Sequence, residues 1–357
     1  MKKSYTLLFI VILFTSACSK KTSVNNNNQV IPPNTPSVIT FAGTGSPGGA
    51  DGTKQLASFN GPTGIAISTD GFFFIADRQN NAIRIISPQG VVNVIAGTGS
   101  SGFSNTAGSV TFNFPSGVAV DRSGNVFVAD EDNSVIRKID LQGVVTTFAG
   151  DGQPGSKNGN DTSARFSGPT GIIADSKGNL YVADNFNSLI RKITPTGVVT
   201  TLAGNGLRGS ANGIGAAASF NQPQAVAVDS SGNVYVADEG NNLIRKITPQ
   251  GLVSTIAGSG TAGATNGIGT AASFNGPAGI AVDANGNLYV GDSNNNLVRK
   301  ISANGTVSTL AGSGTAGSAN GALTSASFNS PQGVAVDTYG RVFVTDTGNN
   351  DIRMITP

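Results

Sequence analysis

The 357-residue chain has 22 basic and 20 acidic residues, a formal net charge of +2 and only 12% charged residues, against about a quarter in ordinary domains. So sparse and balanced a charge gives no basic face for binding nucleic acid, and we expect no nucleic-acid partner. The chain has no histidine and a single cysteine. This excludes an internal disulfide, Ser-His-Asp and Cys-His catalytic sets, and metal sites built on imidazole.

The first 17 residues have the pattern of a secretory signal peptide. Two lysines precede an apolar run at residues 7–14, and small residues then lead to Cys18. The apolar run is too short to span a bilayer. The four residues that end at Cys18 resemble a bacterial lipobox in which Thr15 replaces the more usual Leu. We predict lipidation at Cys18 and a lipid anchor in the bacterial cell envelope, in the outer membrane facing the periplasm or the exterior. A plain signal peptide with an incidental cysteine is the alternative.

Residues 18–37 begin with this cysteine and are rich in Asn, Pro and other polar residues. Such a composition predicts a flexible tether. The predicted organisation is therefore a lipoprotein-type signal peptide at 1–17, a lipidated tether at 18–37 and a folded domain at 38–357.

The folded domain consists of six near copies of one unit. An internal Asp recurs at spacings of 53, 54, 54, 54 and 54 residues, and a fixed period of this length indicates a repeat architecture. In the fourth unit, apolar residues alternate with period two between turn residues, which predicts strands at 225–228, 234–237, 243–247 and 252–257. Four short antiparallel strands in each of six units predict an all-β, six-bladed β-propeller.

The two ends of the chain predict how the ring closes. The sixth unit stops before its outermost strand, and residues 38–43 have the missing pattern, 54 residues before residues 92–97. We expect this N-terminal strand to complete the last blade. Closure in this way would remove a free sheet edge, which otherwise promotes aggregation.

Each unit begins with a loop that contains GxGxxG, a motif also found in dinucleotide-binding proteins. That fingerprint requires a following helix within a βαβ unit, whereas each loop here leads to an F-[NS]-x-P element and another strand. We therefore expect no nucleotide ligand. The loops are predicted to cross from one blade to the next, with a phenylalanine packed between the blades. These residues are Phe59, Phe112, Phe166, Phe220, Phe274 and Phe328.

The units resemble NHL repeats. Their shared features are a P-x-G-[IV]-A-[IV]-D start, a D-x-x-G-N turn, a [YF]-V-A-D strand and an N-x-[IV]-R-K-I strand, and the resemblance extends over residues 38–357. It implies a six-bladed propeller that serves most often as a binding platform, with a minority of enzymes. Residues 171–174 depart from the usual first-strand order, and Ala225 replaces a glycine; neither departure affects the predicted fold.

Three side-chain sets recur in the units. The aspartates are Asp77, Asp130, Asp184, Asp238, Asp292 and Asp346, and an arginine follows each of them seven residues later, at Arg84, Arg137, Arg191, Arg245, Arg299 and Arg353. We interpret these two sets as a structural ion-pair network; the alternative is a ring of carboxylates that holds Ca²⁺. The aromatic set is Phe74, Phe127, Tyr181, Tyr235, Tyr289 and Phe343. We interpret it as a core layer, with a sugar-stacking surface as the alternative.

Departures from symmetry are the natural place to look for function, because features shared by all six blades serve the ring. Phe103, Phe186, Leu207 and Arg208 occupy loop or turn positions where the other units have mostly small or polar residues. Aromatic, Leu and Arg side chains on one loop face are typical of binding sites. These four residues are therefore the predicted ligand-binding patch; the alternative is that each phenylalanine folds back onto its own loop.

The sequence favours a binding or scaffolding propeller that recognises an envelope protein or a glycan through its loop face. The alternative is a Ca²⁺-dependent propeller hydrolase or lactonase, which needs only oxygen ligands. We assign no catalytic residue, no metal ligand and no cofactor. Only the alternative, a propeller hydrolase or lactonase, would use Ca²⁺.

Overall fold

The structure is a computed structural model that describes residues 23–24, 30–31 and 35–357. The predicted signal peptide and Cys18 lie outside the described residues, so lipidation there stays a prediction. Ser23–Val24 and Val30–Ile31 pair as a short antiparallel ladder. Pro36–Pro357 form a separate compact unit. No helix in the described part of the chain is long and apolar enough to cross a membrane.

The compact unit is a ring of six antiparallel blades, which confirms the predicted six-bladed propeller. The inner strands are Pro62–Ile67, Pro115–Val120, Pro169–Ala174, Pro223–Val228, Pro277–Val282 and Pro331–Val336. The second strands are Phe73–Asp77, Val126–Asp130, Leu180–Asp184, Val234–Asp238, Leu288–Asp292 and Val342–Asp346. The third strands are Ala82–Ile86, Val135–Ile139, Leu189–Ile193, Leu243–Ile247, Leu297–Ile301 and Asp351–Thr356. The outer strands are Val91–Ala96, Val145–Ala149, Val198–Ala203, Leu252–Ala257, Thr306–Ala311 and, in blade 6, Ser37–Ala42.

The hairpin turns of each blade follow from local hydrogen bonding. In blade 4 the Asp229 carboxylate accepts hydrogen bonds from the backbone N–H groups of Ser231 and Asn233, at 3.0 and 2.8 Å. Gly232 follows at a φ of 82°, a conformation that costs glycine little. The D-x-x-G-N motif therefore sets the turn between the inner and second strands.

The core lies between blades, because every blade packs both of its faces against its neighbours. All five residues of each second strand are buried, as in Val234–Asp238. The six loop phenylalanines have no solvent exposure and belong to the apolar clusters that join adjacent blades. This confirms their predicted place between the blades.

The ring closes as predicted. Ser37–Ala42 pairs antiparallel with Asp351–Thr356, so the N-terminal strand supplies the outer strand of blade 6. The seam between blades 6 and 1 has additional contacts: Thr345 Oγ1 donates a 2.7 Å hydrogen bond to the Thr63 carbonyl. The rings of Phe73 and Phe343 also pack 4.6 Å apart between centroids.

Blades 2 and 6 differ from the others at their outer edges, because their described sheets have four strands instead of five. In blades 1, 3, 4 and 5 a two-residue strand of the incoming crossing loop pairs with the outer strand; these strands are Gly52–Thr53, Gly159–Asn160, Gly213–Ile214 and Gly267–Ile268. The described sheet of blade 2 has no such fifth strand. Its incoming loop is one residue shorter, which accounts for the single spacing of 53 residues. That same loop contains Phe103.

Candidate functional site

The recurring aspartates and arginines form a buried structural network. In blade 4, Asp238 Oδ2 accepts hydrogen bonds from Arg245 Nη1 and Asn241 Nδ2, each at 2.8 Å, and Asp238 Oδ1 accepts one from the backbone N–H of Asn221. The Arg245 guanidinium lies 5.3 Å from the centroid of Phe220. Burial raises the pKa of Asp238, and these hydrogen bonds and the arginine charge oppose the rise.

Every blade repeats this ion pair at 2.7–2.9 Å, which confirms the structural interpretation. Both oxygens of each carboxylate are already hydrogen-bonded to protein groups, so this set does not offer the free oxygen ligands that Ca²⁺ requires. Within the described residues, no group of three or more His, Cys, Asp and Glu side chains is placed to hold a metal ion.

The second-strand aromatic residues form a buried layer, as predicted. All six are at most 8% exposed. Where the residue is tyrosine, its hydroxyl donates to the aspartate of the first turn, as in Tyr235 to Asp229 Oδ2 at 3.0 Å. Burial and this negative charge raise the pKa of Tyr235 to about 12. The layer therefore serves packing rather than exposed sugar stacking.

The crossing loops and the turns between second and third strands lie on the same face of the ring. In each blade an asparagine of that turn donates to a carbonyl of the crossing loop, as in Asn133 to Gly102 and Asn241 to Gly209, both at 2.8 Å. The four residues of the predicted patch are thus all on this loop face.

The predicted patch residues are strongly exposed. Phe103 is 53% exposed, and its ring centroid lies 5.2 Å from the Arg137 guanidinium. The same guanidinium also contacts the ring of Phe112. Phe186 is 59% exposed and covers Gly168, where an added Cβ would lie 2.6 Å from the ring. Both phenylalanines therefore rest on their own blades while leaving more than half of their surface free.

The other two residues of the patch come from the loop into blade 4. Leu207 is 70% exposed. The Arg208 side chain forms no hydrogen bond or ion pair with the described part of the chain. Nor do hydrogen bonds or ion pairs join the four patch residues to one another within that part, so their joint role as a binding surface stays a prediction.

A central channel, which the sequence did not reveal as a site, runs between the six inner strands. Its cavity volume is about 230 Å³ and its walls are apolar Ile, Val and Ala side chains together with Thr63, Ser116, Gln224 and Gln332. Each inner strand pairs on one edge only. The channel therefore combines an apolar wall with backbone polar groups.

Six turn residues surround one mouth of this channel. Each follows the recurring aspartate directly: Arg78, Glu131, Asn185, Glu239, Ser293 and Thr347. Several of them reach the next blade. Arg78 pairs with Glu131 at 3.1 Å, Asn185 donates to Gln224 Oε1 at 3.0 Å, and Thr347 donates to the Pro62 carbonyl at 2.7 Å. The signal in the sequence was the variety at this position directly after an aspartate that all six units share.

Comparison with known proteins identifies the repeats. The NHL repeat model matches residues 59–86, 112–139, 220–247, 274–301 and 328–353. The chain therefore contains five NHL repeats, as the sequence resemblance predicted for most of its units. Blade 3, whose first strand departs from the usual order, has the same four strands although the repeat model does not match it.

Curated relatives share part of this sequence. The chain is 34% identical to Protein SUPPRESSOR OF QUENCHING 1, chloroplastic, of Arabidopsis thaliana over 43% of this chain and 16% of that protein. It is 31% identical to NHL repeat-containing protein 2 of Bos taurus over 55% of this chain and 32% of that protein. The chain spans a third or less of these relatives' length.

Solved structures share the fold. An auxiliary nutrient binding protein from Bacteroides thetaiotaomicron superposes with a TM-score of 0.69 at 16% identity, over 94% of this chain and 82% of that one. A gluconolactonase from Xanthomonas campestris superposes with a TM-score of 0.58 at 15% identity, over 90% and 89%. At these identities the similarity shows the propeller fold alone.

Proposed function

We propose that this protein is a binding module of the bacterial cell envelope, held by a lipid at Cys18, that recognises a protein or glycan through its loop face. The observation that supports this role is the group of exposed large side chains at Phe103, Phe186 and Leu207 on a face otherwise built from small and polar loop residues. The similarity to an auxiliary nutrient binding protein agrees with a binding role.

The chemistry of the patch suits recognition. Aromatic and arginine side chains are enriched among residues that contribute most to binding. The two phenylalanines are held against Arg137 and Gly168, so little conformational freedom would be lost when a partner covers them. Arg208 adds a cation with no partner among the described residues, which suits an acceptor-rich protein or glycan surface.

The test uses the whole protein with all four patch residues changed to alanine. A defined glycan array and a solubilised envelope extract of the source organism serve as probes, and any captured protein is identified and then titrated in purified form. The control variant replaces Leu141 and Tyr339, which are 69% and 84% exposed at turns on the opposite face. Loss of binding in the patch variant alone supports the proposal; equal binding by all three proteins overturns it.

The anchor is tested separately. Cys18→Ser should abolish incorporation of labelled palmitate and move the protein from the membrane pellet to the soluble fraction of cells. Persistence of the label in this variant would contradict the proposed lipid anchor.

A Ca²⁺-dependent hydrolase or lactonase is the second candidate, because the fold is shared with a gluconolactonase over most of both chains. Ligand binding to the folded state raises the melting temperature. A melting temperature that rises in millimolar Ca²⁺ relative to EDTA, together with turnover of a lactone, would favour this candidate. An unchanged melting temperature would remove it.

A further inference from the structure

The mouth of the central channel has one acidic residue without a partner. Of the two glutamates in the ring of turn residues, Glu131 is paired with Arg78 at 3.1 Å. The Glu239 carboxylate forms no hydrogen bond or ion pair with the described part of the chain. Burial alone raises the pKa of Glu239, with no contribution from a neighbouring charge. Its negative charge therefore has no compensating partner among the described residues.

The missing partner can be located by comparison between blades. Asn185, the equivalent residue of blade 3, bonds to Gln224, the second residue of the inner strand of blade 4. The corresponding inner-strand residue for Glu239 is Ala278 of blade 5. The methyl group of Ala278 cannot form a hydrogen bond, so Glu239 lacks the partner that Gln224 provides for Asn185.

The channel next to this position supports a ligand rather than an ion alone. Ala278 lines the channel, whose walls are mostly Ile, Val and Ala. The channel volume of about 230 Å³ is that of roughly eight molecules of liquid water. The Gln332 side chain, in the inner strand of blade 6, also lines it and forms no hydrogen bond within the described residues. The equivalence with Asn185 and Gln224 thus places the Glu239 turn beside Ala278, at the end of an apolar cavity whose wall also includes the Gln332 amide.

The wall of the cavity is tightly packed between neighbouring inner strands: an added Cβ at Gly64 would lie 2.6 Å from the Ser116 carbonyl oxygen of the next strand. The cavity volume of about 230 Å³ limits an apolar ligand in it to a few carbon atoms.

We infer that the channel mouth binds a small organic cation, a primary amine on a short apolar chain, with its ammonium group at Glu239 and its chain in the cavity. The ammonium supplies the charge and the hydrogen-bond donors that Glu239 lacks, and a charge-assisted hydrogen bond of this kind is stronger than a neutral one. The chain displaces water from an apolar wall. This site is independent of the proposed loop-face patch.

The experiment is a calorimetric titration of the whole protein with n-butylamine at pH 7.5, with butan-1-ol and butyrate as neutral and anionic analogues. Glu239→Gln removes the charge at nearly constant shape, and Ala278→Gln places in blade 5 the side chain that blades 4 and 6 already have. Asp132→Asn is the control, because Asp132 is an exposed acidic residue in the equivalent turn of blade 2 and forms no ion pair with the described part of the chain.

The inference predicts that butylamine binds the unaltered protein and Asp132→Asn equally, and that both channel variants bind at least tenfold more weakly. Melting curves confirm that each variant is folded. If butanol or butyrate binds as tightly as butylamine, the role assigned to the Glu239 carboxylate is wrong. The absence of butylamine binding, or an equal affinity of Glu239→Gln for butylamine, would also overturn the inference.

Discussion

Asp351 occupies a buried position in the third strand of blade 6 where every other blade has an apolar residue. The equivalent residues are Ala82, Val135, Leu189, Leu243 and Leu297. Asp351 accepts a 2.9 Å hydrogen bond from the backbone N–H of Gly45, just after the N-terminal strand that closes the ring. A carboxylate at the closing seam should therefore make the stability of the whole ring depend on pH.

The size of this effect follows from the titration of the side chain. Burial is the main cause that raises the pKa of Asp351 to about 6, from an ordinary value of 3.8. Each pKa unit corresponds to about 1.4 kcal/mol, so the charged form of Asp351 should lower the free energy of unfolding by roughly 3 kcal/mol. Partial contact with solvent reduces this loss to about 2 kcal/mol. Because the folded state holds the proton more tightly, this cost is absent below pH 4, grows as the pH rises to 6 and is constant above.

The perturbations are Asp351→Asn and Asp351→Leu, with Asp132→Asn as the exposed control. The free energy of unfolding, measured with urea between pH 4 and 8, should fall less steeply with rising pH in Asp351→Asn than in the unaltered protein. Asp351→Leu should be more stable by about 1–2 kcal/mol at pH 7.5, since it gains apolar burial and loses only one hydrogen bond to an exposed loop. An unaltered pH dependence in Asp351→Asn would refute the assigned cost.

Three further changes test the ring. Arg191→Met should cost about 3–5 kcal/mol of unfolding free energy because it leaves Asp184 buried without its cation. The double variant Arg191→Met with Asp184→Leu should recover part of that loss. An equal loss of unfolding free energy in the single and double variants would contradict the ion-pair account. Phe220→Ala should cost about 3–5 kcal/mol in a urea titration, whereas Phe103→Ala on the surface should cost under about 1 kcal/mol. Deletion of residues 38–43 should lower the melting temperature of the entire ring in calorimetry, and an unchanged melting curve would show that closure does not need this strand.

The fold could be predicted from the sequence because each of its causes is local and repeated six times. The alternation around Tyr235 and the turn at Asp229 are enough to specify strands and hairpins, and the pattern at residues 38–43 specifies closure. The structure extends the predicted first strand of unit 4 back to Pro223. It also adds the short fifth strands, which depend on how a crossing loop meets the outer strand of the next blade.

The channel mouth could not be predicted in the same way. Glu239 stands at a turn position that varies between units, and its lack of a partner is attributed to Ala278, which lies 39 residues later in the sequence. Only the ring geometry brings these two positions to one place. By contrast, Phe103 and Phe186 were identifiable as departures from the repeat, although their contacts with Arg137 and Gly168 required the structure.

The most direct test of a binding role is the dissociation constant of the whole protein for its best ligand from the glycan array or the identified envelope protein. The account predicts that alanine at Phe103, Phe186, Leu207 and Arg208 weakens this affinity by at least a hundredfold, about 2.7 kcal/mol. The opposite-face variant at Leu141 and Tyr339 should bind within a factor of two of the unaltered protein, roughly 0.4 kcal/mol. Equal affinity in the patch variant, or an equal loss in the opposite-face variant, would contradict recognition through the loop face.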